Sequence, residues 1–122
     1  MGQLRMAALA IVSMSVSAAA AASAGAAKSY TIVIDKMAFG AAPGELRVGD
    51  TIVWVNRDLF RHTATATDRS FNVDLPPGQS ARTVMTRAGS VSFFCAYHPG
   101  MKGTLVIAAH PAAHAISRRA SR

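Results

Sequence analysis

The chain has 122 residues, 51% of them hydrophobic, with 13 lysines and arginines against 6 acids and a formal net charge of +7. That length holds one small domain, and a single cysteine excludes a disulfide within the chain. The basic balance favours an acidic protein or an anionic surface as partner, while an N-terminus that reads as a secretory signal and the lack of a visible nucleic-acid-binding motif argue against nucleic acid.

Residues 1–27 read as a secretory signal that is cleaved. Arg5 provides a positive start, Met6 to Val16 is an uncharged apolar run, and Ala18 to Ala27 is almost entirely small residues suited to a signal peptidase. The apolar run is too short for a span of about 20 residues, and no later stretch is long enough. The expectation is therefore a periplasmic protein with no stable membrane insertion once the signal is removed. Residues 28–109 form the folded domain, and residues 110–122 a basic flexible tail carrying Arg118, Arg119 and Arg122. An exported chain with one unpaired cysteine calls for intermolecular pairing, a reactive thiol or a metal ligand.

The domain reads as short strands in series. Tyr30 to Asp35 alternates, with Tyr30, Ile32 and Ile34 on one face. Lys36 to Gly44 is irregular, punctuated by Gly40, Pro43 and Gly44. Glu45 to Val48 is a brief strand, Gly49-Asp50 a turn, and Thr51 to Asn56 a β-branched strand around Trp54. Arg57 to Arg61 is a loop that delivers His62, and His62 to Thr67 continues as an alternating strand. Asp74 to Gln79 is a turn built on Pro76-Pro77-Gly78. Ser80 to Arg87 and Ser90 to Cys95 are strands, and Met101 to Ile107 is the last. With no helical periodicity, this pattern predicts an all-β Greek-key β-sandwich of seven to eight strands.

The chemistry concentrates between the last two strands, where Cys95, His98 and Met101 follow one another as Cys-x2-His-x2-Met. Taken singly, Cys95 reads as a small buried hydrophobe, Met101 as core packing and a lone His62 as a turn cap. Taken together in an exported β-rich domain, they read as a metal site. Thiolate and thioether suit Cu(I), imidazole suits Cu(II), and a trigonal His2Cys set with a long axial Met is an electron-transfer copper centre. The second histidine comes from elsewhere, and His62 is the candidate. The expected site is His62, Cys95, His98 and Met101 around one copper ion per chain, cycling between Cu(I) and Cu(II). His110 and His114 are left to the tail.

These features resemble the cupredoxins, the type 1 blue copper proteins of the amicyanin and plastocyanin type, and amicyanin most closely. The resemblance runs from about Tyr30 to Ala108 and rests on Met37-Ala38-Phe39, Gly49 to Arg57, His62 and Cys95 to Met101. It implies a periplasmic shuttle for single electrons, with His62, Cys95 and His98 binding copper and Met101 as weak axial ligand. Two positions depart from the family. Thr63 stands where an asparagine often ties the ligand loops together, and Tyr97 stands where amicyanin has a proline, adding an N–H that can reach the sulfur.

A saturated site leaves no open position for substrate, so the chain is expected not to be an enzyme. Its partners are then a redox donor and acceptor with an acidic docking surface, met by a monomer through a patch of Leu59 and Phe60 near His98. Arg57, Arg61 and Lys102 are expected to ring that patch. The alternative is a copper carrier or buffer using the same ligands.

Overall fold

The computed structural model describes residues 25–110; the expected signal segment up to residue 24 and the tail from residue 111 onward, including His114, lie outside them. The described residues form nine strands: β1 (Ser29–Asp35), β2 (Ala38–Phe39), β3 (Leu46–Arg47), β4 (Thr51–Asn56), β5 (His62–Ala66), β6 (Asn72–Leu75), β7 (Ser80–Val84), β8 (Gly89–Phe94) and β9 (Lys102–Ala108). Two sheets result, ordered β2-β1-β4-β7 and β3-β9-β8-β5-β6, so the chain crosses repeatedly between layers of an all-β Greek-key sandwich. Among the described residues no helix is long and apolar enough to cross a membrane.

Two strands go beyond the sequence reading. β2 falls in the stretch read as irregular, because Lys36 and Met37 both adopt positive φ, 50° and 60°, and fold a two-residue hairpin that pairs Asp35 with Ala38. β6 takes Asp74 and Leu75 out of the stretch read as a turn, because Asn72 to Leu75 pair antiparallel with β5 from Thr65 back to His62. Both are short ladders, of two and four residues, so local alternation gives them little signal.

Alternation does place the core. Ile32 and Ile34 on β1, Ile52 and Trp54 on β4, and Leu105 and Ile107 on β9 all face inward. Trp54 is wholly buried, with Phe93 at 5.1 Å, Phe71 at 5.7 Å and Phe39 at 6.1 Å between ring centroids. Its indole N–H donates to Thr83 Oγ1 at 3.0 Å, so the ring enters the core without an orphaned donor. Gly103 lets β9 pass directly over Phe93; a Cβ there would collide with that ring. At the opposite end from the ligand loops, buried Asp50 accepts from the N–H groups of Lys28 and Arg47 at 2.8 and 2.9 Å, closing the turn that Gly49 makes at φ 94°.

This frame positions the functional loops. β4 and β5 lie in different sheets, and residues 57–61 cross between them. β8 and β9 are antiparallel neighbours, and residues 95–101 connect their ends. β5 pairs with β8 through Thr65↔Phe94 and Ala66↔Phe93, which brings the two loops to one end of one sheet.

Candidate metal centre

Cys95 follows the end of β8 and is buried; it is the one free cysteine. The loop after it is tightly closed by its own backbone. His98 N–H donates to Cys95 C=O at 3.3 Å, Met101 N–H to His98 C=O at 2.8 Å, and Cys95 N–H to Met101 C=O at 3.1 Å. The short spacing therefore turns His98 back toward the cysteine, and Met101 ends the loop buried. His62 opens β5 and is also wholly buried.

His62, Cys95 and His98 converge, each offering one ligand atom, with all three atoms within 4.8 Å of one another. Both imidazoles present Nδ1 to the sulfur, His62 at 3.7 Å and His98 at 3.6 Å. Those separations fit a shared ion. Bond lengths of about 2.3 Å to sulfur and about 2.0 Å to nitrogen, at a trigonal angle, place N and S about 3.7 Å apart. Two soft-to-borderline nitrogens and a thiol sulfur also match the donor set that copper takes in a His2Cys site.

Around the three donors lies a shell that sequence reading only partly anticipates. Asp58 is the missed residue. Its Oδ2 lies 2.9 Å from His62 Nε2, so the carboxylate fixes the ring from behind and leaves Nδ1 for the metal. The same oxygen accepts from Met37 N–H at 2.9 Å, tying the strained β1–β2 turn to the site, and Oδ1 accepts from Leu59 N–H at 2.8 Å. The hydrogen bond with His62, with those backbone donors behind it, holds the Asp58 carboxyl below the usual carboxylate range. An acid four residues before a ligand histidine was the available clue.

Asn56 shapes the loop that carries Asp58. Buried at the end of β4, it donates to Phe60 C=O at 2.7 Å and Leu75 C=O at 2.8 Å and accepts from Asp58 N–H at 2.9 Å. Thr63 links the two loops in the place of the family's usual asparagine: Ala96 N–H donates to its Oγ1 at 2.8 Å. The backbone N–H that reaches the sulfur is that of Thr63, at 3.4 Å, in place of the expected Tyr97. The reason is position: β5 pairs with β8, whose end leads into Cys95, so the Thr63 N–H comes alongside the sulfur.

Exposed apolar side chains neighbour His98 in space or in the chain. His98 is half-buried, Phe60 sits edge-on to it at 6.4 Å, and Leu59, Phe60 and Tyr97 are 88, 55 and 54% exposed. Leu59 and Phe60 are thus not core residues. Arg57 and Lys102 are exposed. Arg61 differs: it is ion-paired with Asp74 on β6 and stacks 5.7 Å over Tyr97, so its charge is compensated.

Comparison with known proteins follows the same geometry. The family model described as a Cupredoxin-like domain matches residues 5–107. Amicyanin of Paracoccus denitrificans is 30% identical over 84 residues, 62% of this chain and 64% of that protein. Amicyanin of Paracoccus versutus is 25% identical over 87 residues, 66% of each. The chain thus spans just under two thirds of the length of these curated relatives. A solved amicyanin variant in its reduced Cu(I) form at pH 4 is 26% identical with a TM-score of 0.56, covering 65% of this chain and 81% of that one. With two sheets in this order and a His62–Cys95–His98 cluster arranged to hold one copper ion, the chain belongs to the cupredoxin-like domain family.

Proposed function

We propose that this chain is a periplasmic carrier of single electrons, with His62, Cys95 and His98 as equatorial copper ligands and Met101 as the weak axial one. The observation that supports it most is the meeting of a buried His62 and Cys95 with a half-buried His98 under an exposed apolar patch. Copper, when bound, supplies the one-electron couple between Cu(II) and Cu(I).

The residues of the chain do the rest. Asp58 holds the His62 ring, and Thr63 N–H points at the Cys95 sulfur, so two donors are positioned before any metal arrives. The closed backbone of residues 95–101 limits the movement of His98 and Met101 between oxidation states. Four protein donors leave no position open for a substrate, which supports a carrier in place of an enzyme.

The His98 ring edge is the exit for the electron. Leu59, Phe60 and Tyr97 around it allow close, dry contact with a redox donor or acceptor. Arg57 and Lys102 at the margin favour an acidic partner surface, whereas Arg61 contributes little steering because Asp74 neutralises it. The reading takes residues 1–27 as the cleaved export signal, 28–109 as the working domain and 110–122 as a tail outside the site, in a monomer.

Visible absorption and EPR spectra of the copper-loaded protein, followed by voltammetry, test the proposal. An intense blue colour with reversible one-electron cycling is the expected result. Rapid copper loss to a mild chelator without reversible cycling would favour the copper carrier or buffer.

A further inference from the structure

Behind the sulfur lies a line of side chains that the electron-carrier reading does not use. Thr63 and Thr65 occupy alternate positions on β5 and share one face of the sheet, and Asn72 on β6 is the register partner of Thr65. Thr63 Oγ1 lies 2.9 Å from Thr65 Oγ1, and Thr65 Oγ1 donates to Asn72 Oδ1 at 2.8 Å. Thr63 is buried, Thr65 half-buried and Asn72 exposed, so the line runs from the site to solvent.

Its direction follows from proton counting. A threonine hydroxyl has one hydrogen and two lone pairs. Thr65 gives its hydrogen to Asn72, so between the two threonines Thr63 is the donor. The hydrogen of Thr63 is thereby directed away from the Cys95 loop, and its lone pair meets the Ala96 N–H at 2.8 Å. Without Thr65 the Thr63 hydroxyl loses that constraint and rotates freely. Thr63 also supplies the N–H that faces the Cys95 sulfur, so a single residue grips the ligand loop at two points.

We infer that Thr65 and Asn72 are positioning residues of the metal centre, which act through Thr63 to hold the Cys95 loop against β5 and keep the sulfur at its N–H donor. The inference rests on the copper reading only for its electrochemical consequence. An N–H···S bond withdraws charge from the thiolate; loosening it strengthens the thiolate as a donor, favours Cu(II) and lowers the midpoint potential.

Two measurements separate the parts. In the copper-free protein, amide hydrogen exchange at Ala96 is followed by NMR. Thr65→Val and Asn72→Leu should each speed it about fivefold, the loss expected for one hydrogen bond, while Thr65→Ser and Asn72→Asp, which keep the donor and the acceptor, stay near the native rate. In the copper-loaded protein, voltammetry should show a lower midpoint for Thr65→Val and Asn72→Leu and a native one for Thr65→Ser. Asn72 is exposed, so its replacement leaves the core intact. Native Ala96 exchange in both Thr65→Val and Asn72→Leu, alongside faster exchange in Thr63→Ala, would overturn the inference. So would a midpoint that falls equally with Thr65→Ser. The expected exchange pattern in a protein that fails to bind copper would leave the relay standing and overturn the copper reading instead.

Discussion

The two loops that meet at the site hold their histidines in opposite ways. His62 is wholly buried, with Asp58 fixed behind its ring and Asn56 fixing the loop behind Asp58. His98 is half-buried, and its loop is held by backbone hydrogen bonds within residues 95–101. Equal chemistry at the metal is thus built from unequal supports. On the electron-carrier proposal the difference assigns roles: the buried, side-chain-braced histidine is scaffold, and the loop histidine is the contact to the outside. The proposed carrier needs both, because electron transfer asks for little rearrangement around the ion and a short path to a partner.

The largest effect falls on what both loops share. Cys95→Ser should abolish the charge-transfer colour of the copper-loaded protein, since the sulfur is the atom that both Nδ1 groups face. A variant that stays intensely blue would remove the basis for treating the two loops as one site.

Cavity variants break the comparison directly. His98→Gly opens the site at the surface, so added imidazole should restore the colour. His62→Gly leaves a hole sealed within the sandwich, and imidazole should restore far less. Absorption titrations compare the two, and equal rescue would show that burial does not distinguish them.

Asp58→Ala should make His62 as loosely held as His98. Removing a carboxylate behind a ligand histidine costs about 10–100-fold in metal affinity, and chelator competition measures it. Asp58→Asn keeps an acceptor oxygen and should lie between native and Ala. An unchanged affinity in Asp58→Ala would mean that the sheet alone orients the ring.

The smallest effect concerns acid. The Asp58 carboxyl titrates below the usual range because His62 and then the Met37 N–H hydrogen-bond it. A depressed folded value means that its contribution to stability is complete above the unfolded value of about 3.9 and is lost as pH falls through the lower folded one. Asp74, lowered by Arg61, behaves alike. Thermal melts of the copper-free protein between about pH 6 and pH 2 should fall at the acid end, and Asp58→Asn should flatten that fall. An identical profile in Asp58→Asn would assign the acid loss to other carboxylates.

The sequence by itself determined most of the strands and one side of the site. Period-two alternation records which face of a strand is buried, so Ile32, Ile34, Ile52 and Trp54 were legible as core. Cys95 and His98 were legible together because they share one short loop. His62 was reached only by needing a second imidazole. Its meeting with Cys95 depends on the pairing of β5 with β8, which no local pattern encodes. The same holds for the relay from Thr63 to Asn72 and for Asp74 compensating Arg61, whereas Asp58 stands four residues before His62 and left a local clue. Exposure of Leu59 and Phe60 also had to come from the fold, since an apolar pair in a loop reads equally as core or as surface. Composition and spacing carry the chemistry of neighbours in the chain. Contacts between distant segments are set by sheet order and register, which arise only when the whole hydrophobic face of each strand is buried at once.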